Sequence, residues 1–257
     1  MAQSKFFSEI QQTDIKFGDY QTKSPMFFTD CAVMGATFMA DFNMIKNVLP
    51  KEFRPIQIIP GKGLISIHCM EYRQCDLGPY NEVSLAALIY PPGNLVEKTK
   101  KLIRSPFTNN FYAHVIDLPV TTEISRIGGK EIFNFPKYLA EITFRHAGNH
   151  YICSLRNNHD YKTIVEIAGK KIKTKHLCQN NYKKNLFTIH TYPENTRNAH
   201  PGKLVLNPLE LGIAYVGHHI TVNPGNDPRA DLIKKLKLGF QMHYIYAPQC
   251  EAVLYAK

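Results

Sequence analysis

Nowhere in this chain do eighteen uncharged apolar residues run together, and the polar start MAQSKFFSEIQQTDIKFGDY holds no apolar core of seven or more. Neither a membrane span nor a signal peptide is expected. No CxxC pair occurs. The six cysteines, Cys31, Cys69, Cys75, Cys153, Cys178 and Cys250, are scattered through a chain large enough to fold without disulfide staples, which fits reduced thiols in a cytoplasm. Gly61, Gly63, Gly128 and Gly129 match neither the dinucleotide fingerprint nor the phosphate-binding loop, so no nucleotide site is expected. No nucleophile elbow GxSxG is present. No Ser/Gly/Pro-rich linker divides the 257 residues, 44% of them hydrophobic, so one domain over residues 1–257 is expected.

Metal ligation has little support. His146 and His150 have an H-x3-H spacing that on a helix would put both imidazoles on one face, but here they straddle a predicted hairpin. His218 and His219 are adjacent, and adjacent strand residues face opposite ways. No metal and no organic cofactor is expected. The charge balance, 31 Lys+Arg against 21 Asp+Glu, gives +10, and part of the excess sits in GKKIKTKHLCQNNYKK at 169–184. With Tyr182 as its one ring, that stretch reads as a solvated hairpin tip rather than a nucleic-acid groove, which would interleave aromatics and arginines. A positive field of this kind draws small anions toward the protein.

What is present is mostly strand pattern. Residues 41–48 read as a short helix with Asp41 as N-cap and Pro50 beyond its end. Ile65, Ile67 and Cys69 alternate with Ser66, His68 and Met70, and VSLAALIY at 83–90 has the length of a buried strand, with Glu82 at its opening. Residues 94–104 and 230–238 change to helical spacing. FYAHVID at 111–117 and VTTEISRI at 120–127 return to strand composition, and Gly128 and Gly129 mark a bend or bulge. LAEITFRH and HYICSLR flank Ala147-Gly148-Asn149, a hairpin signal, and TIVEIAGKKIK, NLFTIHT, IAYVGHHITV and MHYIYAPQCEAVLY continue the mode. Many strands with few helices give a mainly antiparallel β protein (α+β overall), closed or nearly closed because open edges invite aggregation.

One stretch stands apart. In GKEIFNFPKYL, residues 129–139, Lys137 is crowded by Phe133, Phe135, Pro136, Tyr138 and Leu139. Apolar crowding disfavours a charged ammonium, and a neutral amine is a nucleophile. GKEIFNFPKYL resembles the signature of the acetoacetate decarboxylase family, a Gly-Arg-Glu followed five residues later by Pro-Lys-Lys-Leu. Gly129, Lys130 and Glu131 fall on the Gly-Arg-Glu, Pro136 on the proline, Lys137 on the Schiff-base lysine and Leu139 on the leucine. Tyr138 falls on the second lysine, a departure. Upstream, GPYNEVS at 78–84 is similar to the family's Gly-x-Tyr-x-Glu segment and puts Glu82 on its active-site glutamate. FMADFNMIKNVLP at 38–50 resembles a short helix ending in Val-Pro, so the likeness covers most of residues 25–145.

The resemblance implies a cone-shaped antiparallel β-barrel with a few peripheral helices. It also implies a homo-oligomer, a cytoplasmic setting, a small keto acid as substrate, and neither nucleic acid nor membrane as partner. It assigns catalysis to Lys137 and Glu82, and Phe135 and Tyr138 are assigned to substrate contact. Lys137 would add to the ketone of a β-keto acid such as acetoacetate. The protonated imine would accept the electrons left as carbon dioxide departs, and the enamine would be protonated and hydrolysed to a ketone. A second departure is that the family's N-terminal arginine falls on Cys31, so Arg73 or Arg126 would have to replace it. Two alternatives stay open. One is a Schiff-base aldolase or dehydratase acting on a larger keto acid, the other a barrel that binds a ligand without turnover.

Overall fold

The computed structural model describes residues 4–91, 109–192 and 202–256, and the helix expected over 94–104 lies outside them. A short helix α1 (Lys5–Ser8) precedes the hairpin β1 (Thr13–Phe17) and β2 (Tyr20–Ser24). Then come β3 (Met26–Asp41), α2 (Phe42–Val48), β4 (Gln57–Ile59), β5 (Lys62–Cys75), β6 (Tyr80–Leu88) and β7 (Asn110–Val120). Helix α3 (Glu123–Phe133) leads to β8 (Lys137–Ala147), β9 (His150–Asn157), β10 (Thr163–Lys170), β11 (Lys175–His176) and β12 (Phe187–Tyr192). The chain ends through β13 (Gly202–Tyr215), β14 (Ile220–Pro224), α4 (Ala230–Leu236) and β15 (Gln241–Tyr255).

The fold is mainly β, and its large sheet bends into a ring. Neighbours run β13, β15, β3, β5, β6, β7, and β12 is hydrogen bonded both to β13 and, in parallel, to β7, which joins the two ends. From β7 a second layer departs. Leu118–Val120 pairs in parallel with Lys137–Leu139, and β8 continues antiparallel to β9, β10 and β14. The strand β7 is thus divided, its first half closing the ring and its last three residues opening the second sheet.

This layering explains the uninterrupted apolar runs. In β3, β5 and β6 one set of alternate residues (Val33, Met70, Ala86) faces the interior of the ring, while the other (Met34, Ile67, Leu85) packs outward against Ile142, Leu155 and Ile167 of the second layer. Both faces are covered, so both are apolar. The α2 helix begins where expected, with the Asp41 carboxylate accepting from the backbone N–H of Asn43 at 3.0 Å and of Met44 at 3.1 Å. The hairpin at Ala147-Gly148-Asn149 is also in place: Ala147 pairs with His150, and Gly148 takes φ +53°.

Two expectations are corrected. Residues 123–127, expected as strand, open α3, and Gly128 and Gly129 lie inside that helix rather than at a bend. Its Ile and Gly content is poor for a helix, but Ser125, Gly128, Gly129 and Phe133 share one buried face, Glu123 sits favourably in the first turn, and Asn134 ends it in the left-handed conformation. The basic stretch 169–184 is not a hairpin tip. It crosses from β10 to β12, laying β11 on β13, with Lys183 paired to Glu9 at 3.2 Å and Tyr182 edge-on to Phe6. No helix among the described residues is long and apolar enough to cross a membrane.

Candidate active site

Lys137 is the first residue of β8 and pairs with Leu118 of β7, two residues before Val120, which pairs with Glu82 on β6. Strand β7 therefore brings the two sequence-predicted catalytic residues together. The lysine is 6% exposed. Its Nζ donates to Glu82 Oε2 at 2.7 Å and to Ser125 Oγ at 3.1 Å, and lies 5.6 Å from the centroid of the Tyr80 ring. Glu82 is buried too. Crowding disfavours charge on either group, while their contact rewards charge on both; losing one partner would leave the other buried and uncompensated.

The lysine stem runs along α3 at Gly129. A Cβ on that glycine would lie 2.3 Å from Lys137 Cδ and 2.6 Å from its Cε, so helix and lysine lie side by side only because residue 129 has no side chain. Phe133 and Phe135 cover the turn between them, rings stacked 5.2 Å apart and 7° from parallel.

The ring encloses a cavity of about 130 Å³. Its levels follow from the strand register. The floor carries Glu82, Met70, Val33 and Leu118, with Phe135 also on the cavity wall. One step up each strand lie His68 and Ser84, and one further step Ser66, Thr37 and His243. Floor residues are buried, whereas Thr37, Leu88, Phe111 and His243 keep some exposure, so the cavity opens at their end. Glu82 stands on the wall with Lys137 immediately behind it, so the amine reaches the cavity past the carboxylate.

Three residues were missed by sequence reasoning. Tyr80 occupies the tyrosine position of the Gly-x-Tyr-x-Glu motif and was the findable one; burial, then the nearby Glu82, pushes its phenol well above the ordinary range. Tyr72, whose OH donates to Met70 Sδ at 3.0 Å, is raised by the same two causes in the same order. Ser125 had no signal, because its place depends on α3, which composition hid.

Other expectations are revised. Phe135 does line the cavity, but Tyr138 does not. Next along β8 from Lys137, it points away, donates to Asp117 Oδ2 at 3.2 Å, and has the Arg229 guanidinium 4.6 Å from its ring centre. Arg73 is held by Asp30 at 2.5 Å and Arg126 by Glu123, and neither reaches the cavity. Cys31 is fully buried, its Sγ donating to the Cys250 carbonyl at 3.1 Å. No arginine is found among the described residues lining the cavity. Nor do any three His, Cys, Asp or Glu of the described residues converge as metal ligands.

A family model described as acetoacetate decarboxylase matches residues 15–201, and the chain belongs to that family. No curated protein sequence matches the chain. Among solved structures, one acetoacetate decarboxylase is 12% identical with a TM-score of 0.60, over 93% of this chain and 88% of its own. That of Legionella pneumophila is 13% identical with a TM-score of 0.60, over 91% and 86%. The enduracididine biosynthesis enzyme MppR, complexed with pyruvate, is 11% identical with a TM-score of 0.54, over 90% and 88%. These structures share the fold well beyond the stretch in which the motifs are visible.

Proposed function

We propose that this protein is a lyase that forms a Schiff base at Lys137 and decarboxylates a β-keto acid of the acetoacetate type. The observation that carries the reading is the buried contact of Lys137 with Glu82 and Ser125 at the floor of the chamber. Proton transfer along the 2.7 Å hydrogen bond turns ammonium and carboxylate into amine and acid. As Glu82 gives up that bond, the amine meets the substrate carbonyl and adds to it. Water leaves, and the protonated imine sits one carbon from the bond to the carboxylate. The electrons of that bond flow into the imine as carbon dioxide departs; Glu82, which gave its proton to the departing water, takes a new one from solvent and passes it to the enamine carbon, and water releases ketone and free lysine. Activation of a lysine by its surroundings is a route for which this family is itself a standard example.

A cavity wall with no arginine among its described residues leaves the substrate carboxylate without a cation, which raises its energy before it is lost as neutral gas. The same feature, with the likeness to MppR, favours as second reading a Schiff-base aldolase or dehydratase on a larger keto acid. A cytoplasmic homo-oligomer completes the proposal, and sedimentation of the purified protein tests its assembly.

Acetoacetate with borohydride tests the chemistry. A reduced adduct on Lys137 together with carbon dioxide release is expected. An adduct without carbon dioxide moves the protein to the aldolase or dehydratase reading. No adduct, or one spread over surface lysines, makes it a ligand-binding barrel.

A further inference from the structure

The chamber holds a second polar group of residues that decarboxylation of a small keto acid does not use. His68 lies one step above Glu82, directly across from Ser84, and two residues of strand rise about 7 Å. His243 lies one step higher again, opposite Thr37, which is itself opposite Ser66. Between the two histidines on β3 is Gly35, paired with His68 on one side and Ile245 on the other. A Cβ there would fall 2.1 Å from His68 Cδ2, so the imidazole lies over the bare backbone of Gly35. Any side chain at 35 would displace the ring.

No hydrogen-bond partner for the ring of His68, which keeps partial exposure on the cavity wall, is found among the described residues. Burial, and then the neighbouring His243, holds it down to about 4, and burial also lowers His243. Both rings are therefore neutral near pH 7, and each offers one N–H and one lone pair. The other titratable groups on the cavity wall are Glu82, at the floor, and Cys250. An imidazole that faces the chamber without a protein partner marks a place where a ligand completes the bonding.

We propose that His68 and His243 form a specificity subsite that hydrogen-bonds an uncharged oxygen, hydroxyl or carbonyl, at the far end of the substrate. This rests on the Schiff-base reading and makes its substrate a keto compound longer than acetoacetate. Its distal oxygen lies about 7 Å beyond the reacting carbon, one step of the strand ladder. A distal carboxylate is disfavoured because a neutral imidazole pair carries no charge to meet it.

The test uses three probes with the same methyl ketone head: methyl pentyl ketone, the ω-hydroxy derivative of methyl butyl ketone, and its ω-carboxylate. The first two differ only in a terminal methyl against a terminal hydroxyl. Affinities are measured by titration of the full chain with its histidines isotopically labelled, and each mixture is then treated with borohydride. The hydroxy ketone is expected to bind about tenfold more tightly than the alkyl ketone and to shift the His68 and His243 ring signals. In His68→Phe that preference should vanish, while affinity for the alkyl ketone, which reports an intact chamber, is kept. Equal affinities in the wild type, tightest binding of the carboxylate, a preference that survives in His68→Phe, or no binding of any probe overturns the subsite. Preference without a borohydride adduct would uphold the subsite and sink the Schiff base. An adduct without preference would do the reverse.

Discussion

The floor and the upper wall of one barrel solve the problem of a buried polar group in opposite ways. At the floor, Lys137 and Glu82 are matched, with Ser125 taking a second hydrogen bond from the amine. On the wall, His68 is left neutral and unmatched above a glycine. A group whose needs are met inside the protein fixes geometry; one whose needs are not met waits for something to arrive. The first arrangement suits a reacting centre, the second a reader of the substrate.

The comparison is broken most severely at the floor. Lys137→Met should abolish the adduct and, by leaving Glu82 buried without its cation, cost about 3–5 kcal/mol in urea unfolding. Adding Glu82→Leu should recover most of that stability but none of the activity. His68→Phe should cost no more than about 1 kcal/mol, because no protein partner is stranded. If the two single variants lose equal stability, the contrast between floor and wall is wrong.

Next in size is Gly129→Ala. The added methyl meets the middle of the Lys137 stem, so we expect about 1–3 kcal/mol of overpacking and at least a tenfold loss of adduct formation. Its neighbour provides the control. A Cβ at Gly128 would approach the Phe17 ring at 3.0 Å, so Gly128→Ala should cost stability and leave trapping largely unchanged. Equal loss of trapping in both would assign the effect to the helix as a whole.

Acidity sharpens the comparison further. His68, held down to about 4 from 6.5, binds its proton less readily in the folded state, so it withdraws stability as pH falls from about 6.5 toward 4. Asp117, pushed up to about 6 from 3.8 by burial, does the reverse and adds stability over the same fall. Each is on the order of 3 kcal/mol, so in the wild type they nearly offset. Asp117→Asn removes one side, and its stability should drop more steeply than that of the wild type between pH 6.5 and 4. Parallel curves would mean that Asp117 titrates normally. The smallest effect belongs to Tyr138→Phe, which removes one half-buried hydrogen bond, about 1 kcal/mol, and should leave the adduct untouched.

Much of the site was legible because its parts are close in sequence. The lysine, its phenylalanine cover and the Glu82 segment form two short motifs. The closed sheet followed from the density of strand patterns. What stayed hidden depends on packing. Helix α3 is written in Ile, Ser and Gly, and only the fit of Gly129 against the lysine stem explains why those residues coil there. Ser125 was lost with it. His68 reads as one polar member of an alternating strand, and its meaning appears only when β3 and β15 set Gly35 and His243 beside it. Glu82 reads as a carboxylate at the opening of a strand, whereas the fold buries it against Lys137.

The order in which the ring is assembled has a consequence for how the chain matures. Strand β15 lies between β13 and β3, and Phe27 pairs with Val253, a separation of 226 residues (253 − 27). Contacts so distant in the chain are slow to form. Until they form, β3 and β13 present unpaired edges, on which nascent chains meet one another and aggregate. Lys137 and Glu82 are synthesised long before the last wall of their chamber, so a ribosome-bound chain carries the lysine in open solution. An electrophile in solution meets that amine without passing Glu82 or the chamber, and a lysine modified at that stage is enclosed when β15 docks.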